Sequence, residues 1–165
     1  MEDVRELIRK HHKTGLLIDA NVLLLYLVGQ TNPNRILSFK RTSQYVPEDF
    51  DLLTQFVAQF QTLVTTPHIL TEVSNLGDLR DRELLVFRSL FTHMIEKAEE
   101  HRDESRRVVK DAAFLRLGLT DAAILALGGH APLFLTDDLD LYVALTSRSL
   151  DAINFNHIRP LNWTS

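Results

Sequence analysis

Short apolar runs that end at aspartates, with helical segments between them, constrain the fold of this chain more than any other feature. Leu16–Ile18 is followed by Asp19, and Leu133–Thr136 is followed by the acidic run 137–140, in which Asp137, Asp138 and Asp140 are the acids. Such runs are typical of buried parallel strands. Two further strands are predicted, at 62–66 and at 152–155. The alternation of strands and helices predicts an α/β fold, a three-layer α/β/α sandwich with a central parallel sheet of four or five strands.

The helices between these strands are predicted from apolar spacing and from capping residues. Thr66 and Pro67 have the character of an N-cap and first helical residue, and Pro47 begins another helix. A long helical stretch is predicted over 81–117, where Gly118 ends it, and Thr120 is predicted to cap a helix over 121–127. No repeat or Gly/Ser/Pro-rich linker divides the chain, so residues 1–165 are predicted to form a single domain.

Composition narrows the classes of function. The 165 residues include no cysteine, which excludes disulfides, thiolate zinc sites and cysteine nucleophiles and is compatible with a cytoplasmic protein. The longest apolar run, residues 15–29, is interrupted by Asp19 and Asn21 and is too short to span a bilayer, so no membrane association is expected. The net charge of −4 is low for a protein that binds nucleic acid. Some of the acidity is therefore expected to serve a local purpose, such as metal binding.

Four acidic residues are expected to converge. Asp19 and Asp138 follow predicted strands, Glu72 lies in the helix after the second strand, and Asp121 lies at a predicted helix start. The carboxyl ends of parallel strands meet at one edge of a sheet and form its ligand crevice. Clustered carboxylates repel one another unless cations neutralise them, and oxygen ligands suit Mg²⁺ or Mn²⁺. Alternation directs Asp137 away from Asp138, so Asp137 is predicted to lie outside this cluster.

Each acid also has a simpler structural explanation. Asp19 has the character of a turn or cap residue, Asp121 of an ordinary helix start, and Glu72 of a solvated helix face. The acidic run 137–140 is compatible with a plain turn. It is the combination, at corresponding ends of successive strand–helix units, that favours a functional site.

Four short motifs in order resemble those of the PIN-domain nucleases. They are Ile18-Asp19-Ala20-Asn21-Val22, Thr66-Pro67-His68-Ile69-Leu70-Thr71-Glu72, Leu119-Thr120-Asp121-Ala122-Ala123 and Leu135-Thr136-Asp137-Asp138-Leu139-Asp140-Leu141. The resemblance covers about residues 16–141, and the final predicted strand also fits the end of the family's fold. Two segments, 30–61 and 81–117, make this chain longer than the compact toxin members of that family.

The resemblance implies divalent-metal-dependent endoribonuclease activity, that is, hydrolysis of RNA phosphodiester bonds with Mg²⁺ or Mn²⁺. It implies that Asp19, Glu72, Asp121 and Asp138 are the catalytic and metal-binding acids. Asp140 is then an auxiliary acid, and Asn21 and Thr136 support the metal or its water by hydrogen bonding. A toxin of a toxin–antitoxin pair is one form that such a protein takes, and its inhibitory partner is an antitoxin.

Alternatives remain open at this stage. A catalytically silent PIN-like module that binds RNA or a protein has the same motifs. A haloacid-dehalogenase-type phosphatase also begins with a strand ending in Asp, but it needs a second Asp where this chain has Asn21, and it needs a lysine motif that is missing. A helical stripe either fills the core or contacts a partner, which is a second copy or an inhibitory helix. The stripe comprises Leu84, Leu85, Phe87, Leu90, Phe91 and Met94.

Basic residues are of interest because they could contact the phosphates of a nucleic acid. Candidates for phosphate contacts are Lys40, Arg41, Arg80, Arg82, Arg106, Arg107 and Lys110. Lysine and arginine usually lie on solvated helix faces, where they pair with neighbouring acids. The sequence therefore assigns none of them to a site.

Overall fold

A central parallel sheet organises the protein. The structure is a computed structural model that describes residues 3–128 and 131–159. Within them, five strands form one all-parallel sheet in the order β3-β2-β1-β4-β5. The strands are β1 (Leu16–Ile18), β2 (Leu63–Thr65), β3 (Glu99–Glu100), β4 (Leu133–Thr136) and β5 (Ala152–Asn154). Helices cover both faces, which confirms the predicted α/β/α sandwich.

The helices follow the strands in the alternating order expected of such a fold. They are α1 (Val4–His11), α2 (Ala20–Thr31), α3 (Pro47–Val57), α4 (Pro67–Leu76), α5 (Asp81–Lys97), α6 (Ser105–Val108), α7 (Phe114–Leu117), α8 (Leu119–Leu125), α9 (Leu139–Ser147) and α10 (Phe155–Ile158), with a 3-10 turn at Pro33–Arg35. Thr66 caps α4 as predicted, since its hydroxyl accepts a hydrogen bond from the Ile69 amide at 3.2 Å. Pro47 begins α3, also as predicted.

The order of the strands reverses beside β1. The chain passes from β1 to β2 and β3 on one side, and then continues with β4 and β5 on the other. Leu16 of β1 lies opposite Leu63 of β2 and opposite Leu133 of β4. In open parallel sheets, ligands bind where the order reverses, outside the carboxyl ends of the strands. Here that point lies between β1 and β4, the two strands that Asp19 and the acidic run 137–140 follow.

The core is built on the sheet and on α2. Leu16, Leu17 and Ile18 are fully or almost fully buried, and α2 has buried residues on every side. A helix that is apolar on every face must be buried on every face. Accordingly, α2 packs against α3, α4 and α5 as well as against the sheet. Each fully buried leucine contributes about 1.5–3 kcal/mol of burial free energy. The most buried helix therefore begins directly after Asp19 and holds that residue in a fixed place.

The prediction of one long helix over 81–117 is wrong. α5 ends at Lys97 because Ala98 takes an extended conformation, and Glu99 and Glu100 then pair with Val64 and Thr65 of β2. An edge strand of two exposed glutamates carries no apolar pattern, so only its pairing with the sheet identifies it. The predicted strand 152–155 is one residue too long, since Phe155 begins α10.

The stripe on α5 mainly fills the core. Phe87 and Phe91 are buried, and Leu84, Leu90 and Met94 pack against the core while partly buried. Leu85 differs, with 69% of its surface exposed. The core interpretation therefore accounts for all members of the stripe except Leu85. No helix in residues 3–128 or 131–159 combines the length and the apolar character needed to cross a bilayer.

Candidate functional site

A cavity of about 360 Å³ opens at the carboxyl edge of the sheet. The four acids that the sequence singled out all line it: Asp19, Glu72, Asp121 and Asp138. Each comes from a different segment: Asp19 and Asp138 precede α2 and α9, Glu72 lies in α4, and Asp121 lies in α8. Asn21 lines the cavity as well. We call this the acidic cavity.

The buried carboxylate of Asp19 accepts three hydrogen bonds. Its Oδ1 accepts from the Val22 amide at 3.1 Å, which makes it the N-cap of α2. Its Oδ2 accepts from the Thr136 hydroxyl and, at 3.2 Å, from the Asp137 amide. Burial of the carboxyl and then the charge of Asp137 raise the pKa of Asp19 to about 7, although the hydrogen bonds act in the opposite direction. Asp19 is thus both a helix cap and an acid whose ionised form is costly.

Asp121 lies in the first turn of α8. Gly118 precedes this helix with φ of 86°, a left-handed conformation that suits glycine, and it lets the chain turn sharply into α8. Burial raises the pKa of Asp121 to about 6, together with the negative charges of Asp138 and Glu72. Asp121 therefore lies close enough to Asp138 and to Glu72 to be repelled by both.

Thr120 differs from its predicted role. It was expected to cap a helix over 121–127, but the N-cap is Gly118 and the helix begins at Leu119. The Thr120 hydroxyl instead donates to Oε1 of Glu72 at 2.7 Å. Glu72 is an exposed residue of α4, and this bond holds its carboxylate at the cavity. Thr120 therefore connects α8 with α4 at the cavity instead of capping a helix.

Asp138 lines the acidic cavity, whereas Asp140 does not. Oδ1 of Asp138 caps α9 by accepting from the amides of Asp140, at 2.7 Å, and Leu141, at 3.1 Å. Asp140 lies exposed in the first turn of α9, and the described residues that line the acidic cavity do not include it. Thr136, the other predicted auxiliary residue, is buried and holds Asp19 through its hydroxyl.

Asp137 lies outside the acidic cavity, but its backbone amide donates to Asp19. Its Oδ2 accepts from the Tyr45 hydroxyl and, at 3.2 Å, from the Gln44 side-chain amide. Its Oδ1 is buried and has no hydrogen-bond partner in the described part of the chain. No sequence pattern indicates this arrangement, because Tyr45 is 92 residues away from Asp137 and lies in a segment without regular structure.

A buried ion pair supports Tyr45. The guanidinium of Arg159 lies 5.1 Å from the centre of the Tyr45 ring and donates to Oδ2 of Asp49 at 2.7 Å. Asp49 is fully buried, and its Oδ2 also accepts from the Val46 amide at 2.9 Å. Part of the long segment 30–61 therefore packs beside the loop after β4 and fixes the residues next to Asp138.

The donor set of the acidic cavity suits a hard divalent cation. Both carboxylate oxygens of Asp121 and Oδ2 of Asp138 accept no hydrogen bond within residues 3–128 and 131–159, so they retain lone pairs for a ligand. Oxygen atoms of carboxylates are the usual ligands of Mg²⁺ and Mn²⁺. No group of three or more His, Asp or Glu side chains among the described residues is arranged to hold a metal as it stands. Glu72 and Asp138 are exposed, so an ion from solvent can reach them.

The sequence matches no model of a known protein family, and a search of curated proteins finds no similar protein. Membership of the PIN family therefore stays a prediction that depends on the four motifs.

Proposed function

We propose that this protein is a PIN-type ribonuclease that hydrolyses RNA phosphodiester bonds with Mg²⁺ or Mn²⁺. The observation that carries the proposal is the convergence of Asp19, Glu72, Asp121 and Asp138 on one cavity at the point where the strand order reverses. Burial raises the pKa values of Asp19 and Asp121, and repulsion from Asp138 and Glu72 adds to the rise at Asp121, as expected of acids gathered for a shared ligand. Asp19 and Asp138 also cap helices, but Glu72 and Asp121 cap none, so capping does not account for the presence of all four acids.

The residues of the acidic cavity would have different roles in the reaction. A bound divalent ion lowers the pKa of a coordinated water and offsets the charge that builds up on the phosphate. Asp121 and Asp138 offer the free carboxylate oxygens that would hold the ion. Thr136 holds Asp19 by a hydrogen bond, and Thr120 holds Glu72. Glu72 would complete the ligand set or orient the attacking water. No side-chain nucleophile is required.

The biological setting forms part of the same proposal. A cytoplasmic location agrees with the absence of cysteine. An antitoxin-like protein or a second copy of the chain would be expected to contact exposed apolar residues, of which Leu85 and Val86 on α5 are examples. Light scattering over a range of concentrations, together with recovery of bound proteins from cells, tests both partners. A strict monomer with no bound protein would remove them from the proposal.

RNA cleavage with and without metal tests the proposed function. Purified protein is incubated with a panel of single-stranded and structured RNAs in Mn²⁺, in Mg²⁺ and in EDTA. Cleavage is expected with either ion and not in EDTA, and an Asp138→Asn variant prepared in the same way should be inactive. Saturable RNA binding without cleavage under any of these conditions would instead indicate a silent PIN-like module.

The metal-free protein is expected to be more stable at about pH 5 than at about pH 7.5. The folded carboxyls of Asp19 and Asp121 bind protons more tightly than in the unfolded chain, where the pKa is near 3.8. The folded state therefore holds more protons between about pH 4 and pH 7, and the free energy of unfolding falls as the pH rises through that range. Asp111 and Asp151 have lowered pKa values, so their contribution is lost only below about pH 4.

Urea denaturation in EDTA at the two pH values measures this difference. Saturating Mn²⁺ at the higher pH should restore the lost stability, because a bound cation compensates the ionised carboxylates. The double variant Asp19→Asn/Asp121→Asn should show a much flatter dependence on pH. A wild-type protein that gains stability between pH 5 and pH 7.5 without metal would contradict the electrostatic account of the cavity.

A further inference from the structure

A second cavity, of about 370 Å³, lies beyond the C-terminal ends of α2 and α4. Four cationic side chains line it: Arg35, Lys40, Arg41 and Arg80. We call it the basic cavity. α2 begins at the acidic cavity and ends beside this one, so about 18 Å of helix separates the two. The basic cavity is therefore a separate feature at the opposite edge of the sheet.

The charge of the basic cavity is not balanced locally. Of the two acids that line it, Glu83 is already engaged: it accepts from Arg35 Nε at 2.7 Å and from the Asn32 amide at 3.1 Å. Lys40, Arg41 and Arg80 form no ion pair with any residue in the described ranges. Asp78 alone cannot neutralise three cations. A chain with a net charge of −4 thus concentrates uncompensated positive charge at one place.

The backbone that carries these cations is held firmly, although it lacks regular structure. Ile36 is fully buried, and the buried Thr42 hydroxyl donates to its carbonyl oxygen at 2.8 Å. Leu79, next to Arg80, is also buried. Phe39 contributes an aromatic wall beside Lys40. The fold therefore brings cations from two distant segments to one place and keeps them there.

We propose that the basic cavity binds backbone phosphates of single-stranded RNA at a distance from the acidic cavity. Guanidinium and ammonium groups are the usual partners of phosphate oxygens, and an aromatic side chain offers a stacking surface to an unpaired base. The choice of RNA as the polyanion depends on the proposed function, but binding itself does not depend on cleavage. Without metal the acidic cavity repels RNA, so the basic cavity is where a strand is held.

Binding of a labelled RNA of about 20 nucleotides in EDTA tests this proposal. The background is Asp121→Asn, so that no trace of metal leads to cleavage. The test variant adds Lys40→Ser, Arg41→Ser and Arg80→Ser. The matched control adds Arg5→Ser, Arg9→Ser and Lys13→Ser, which removes the same charge from exposed positions at and after α1. Fluorescence anisotropy over a salt series gives the affinity and its slope.

The slope of log K against log salt should fall by about 2 in the test variant, since each phosphate contact to a single strand contributes about 0.7. Between about 50 and 200 mM salt the intact cavity should lose roughly twenty-fold in affinity through these contacts. The control should keep at least half of the affinity. Equal losses in both variants, or no loss in either, would overturn the proposal, as would equally tight binding of an acidic peptide of the same charge. A protein that binds RNA in this way but never cleaves it would disprove the proposed function and leave this inference standing.

Discussion

Asp121→Asn is expected to reduce metal-dependent RNA cleavage by about 100-fold or more, because several kcal/mol of charge stabilisation depend on the bound ion. Of the four acids, Asp121 is the one whose substitution should disturb the fold least. It caps no helix, whereas Asp19 and Asp138 cap α2 and α9. The substitution keeps the size of the side chain and removes its charge. In EDTA the variant should be at least as stable as the wild type, since repulsion from Asp138 and Glu72 is relieved.

The double variant Asp121→Asn/Asp138→Asn should be hardly less active than either single variant. Residues that hold one ion act as a unit, so the first loss already removes most of the activity. Single-turnover cleavage rates at saturating Mn²⁺ measure the effect. Asp51→Asn, an exposed acid of α3, is the control and should cleave normally. Fully multiplicative losses in the double variant would mean that the two acids act independently, contrary to a shared metal site.

Asp49→Ala is expected to destabilise the protein by about 3 kcal/mol, because it leaves the Arg159 guanidinium without its buried partner. The side chain of Arg159 retains 17% exposure and can reach water, which places the loss at the lower end of the range for broken buried pairs. The Val46 amide also loses its acceptor at the start of α3. Urea denaturation in EDTA measures the change in the free energy of unfolding.

The neighbouring Glu48→Ala is the control for this prediction. Glu48 is an exposed residue of the same helix turn and should change stability by less than about 0.5 kcal/mol. Asp49→Ala should also loosen Tyr45, since Arg159 packs on its ring, and so weaken Mn²⁺ binding at a site it does not touch. A decrease in the free energy of unfolding of less than about 1 kcal/mol would contradict this prediction. It would mean that water replaces the Asp49 carboxylate as the partner of Arg159 at little cost.

The sequence predicted the parts of the fold that apolar patterns encode. β1 and β4 were predicted with their observed bounds, because three or four consecutive apolar residues ending at an acid are a strong local pattern. β3 was missed because Glu99 and Glu100 form a strand only through pairing with β2. The predicted cap at Thr120 is wrong because the turn at Gly118 starts the helix two residues earlier than predicted.

The candidate site was predictable to the same extent. Asp19, Glu72, Asp121 and Asp138 were found because each lies at a fixed position in a strand–helix unit, and the parallel sheet brings those positions together. Tyr45 and the Asp49–Arg159 pair were not predictable. The hydrogen bond between Tyr45 and Asp137 joins residues 92 positions apart, and the one between Asp49 and Arg159 joins residues 110 positions apart. No local sequence pattern predicts contacts over such distances in the chain.

Titration of the metal-free protein with Mn²⁺ in a calorimeter tests the central claim most directly. The wild type should bind Mn²⁺ saturably near neutral pH and release protons as it does so, because Asp19 and Asp121 are partly protonated there. Asp121→Asn should bind at least about tenfold more weakly, and Asp51→Asn should match the wild type. A wild-type protein that binds no Mn²⁺, or an Asp121→Asn variant that binds it equally well, would contradict the claim that these carboxylates form a metal centre.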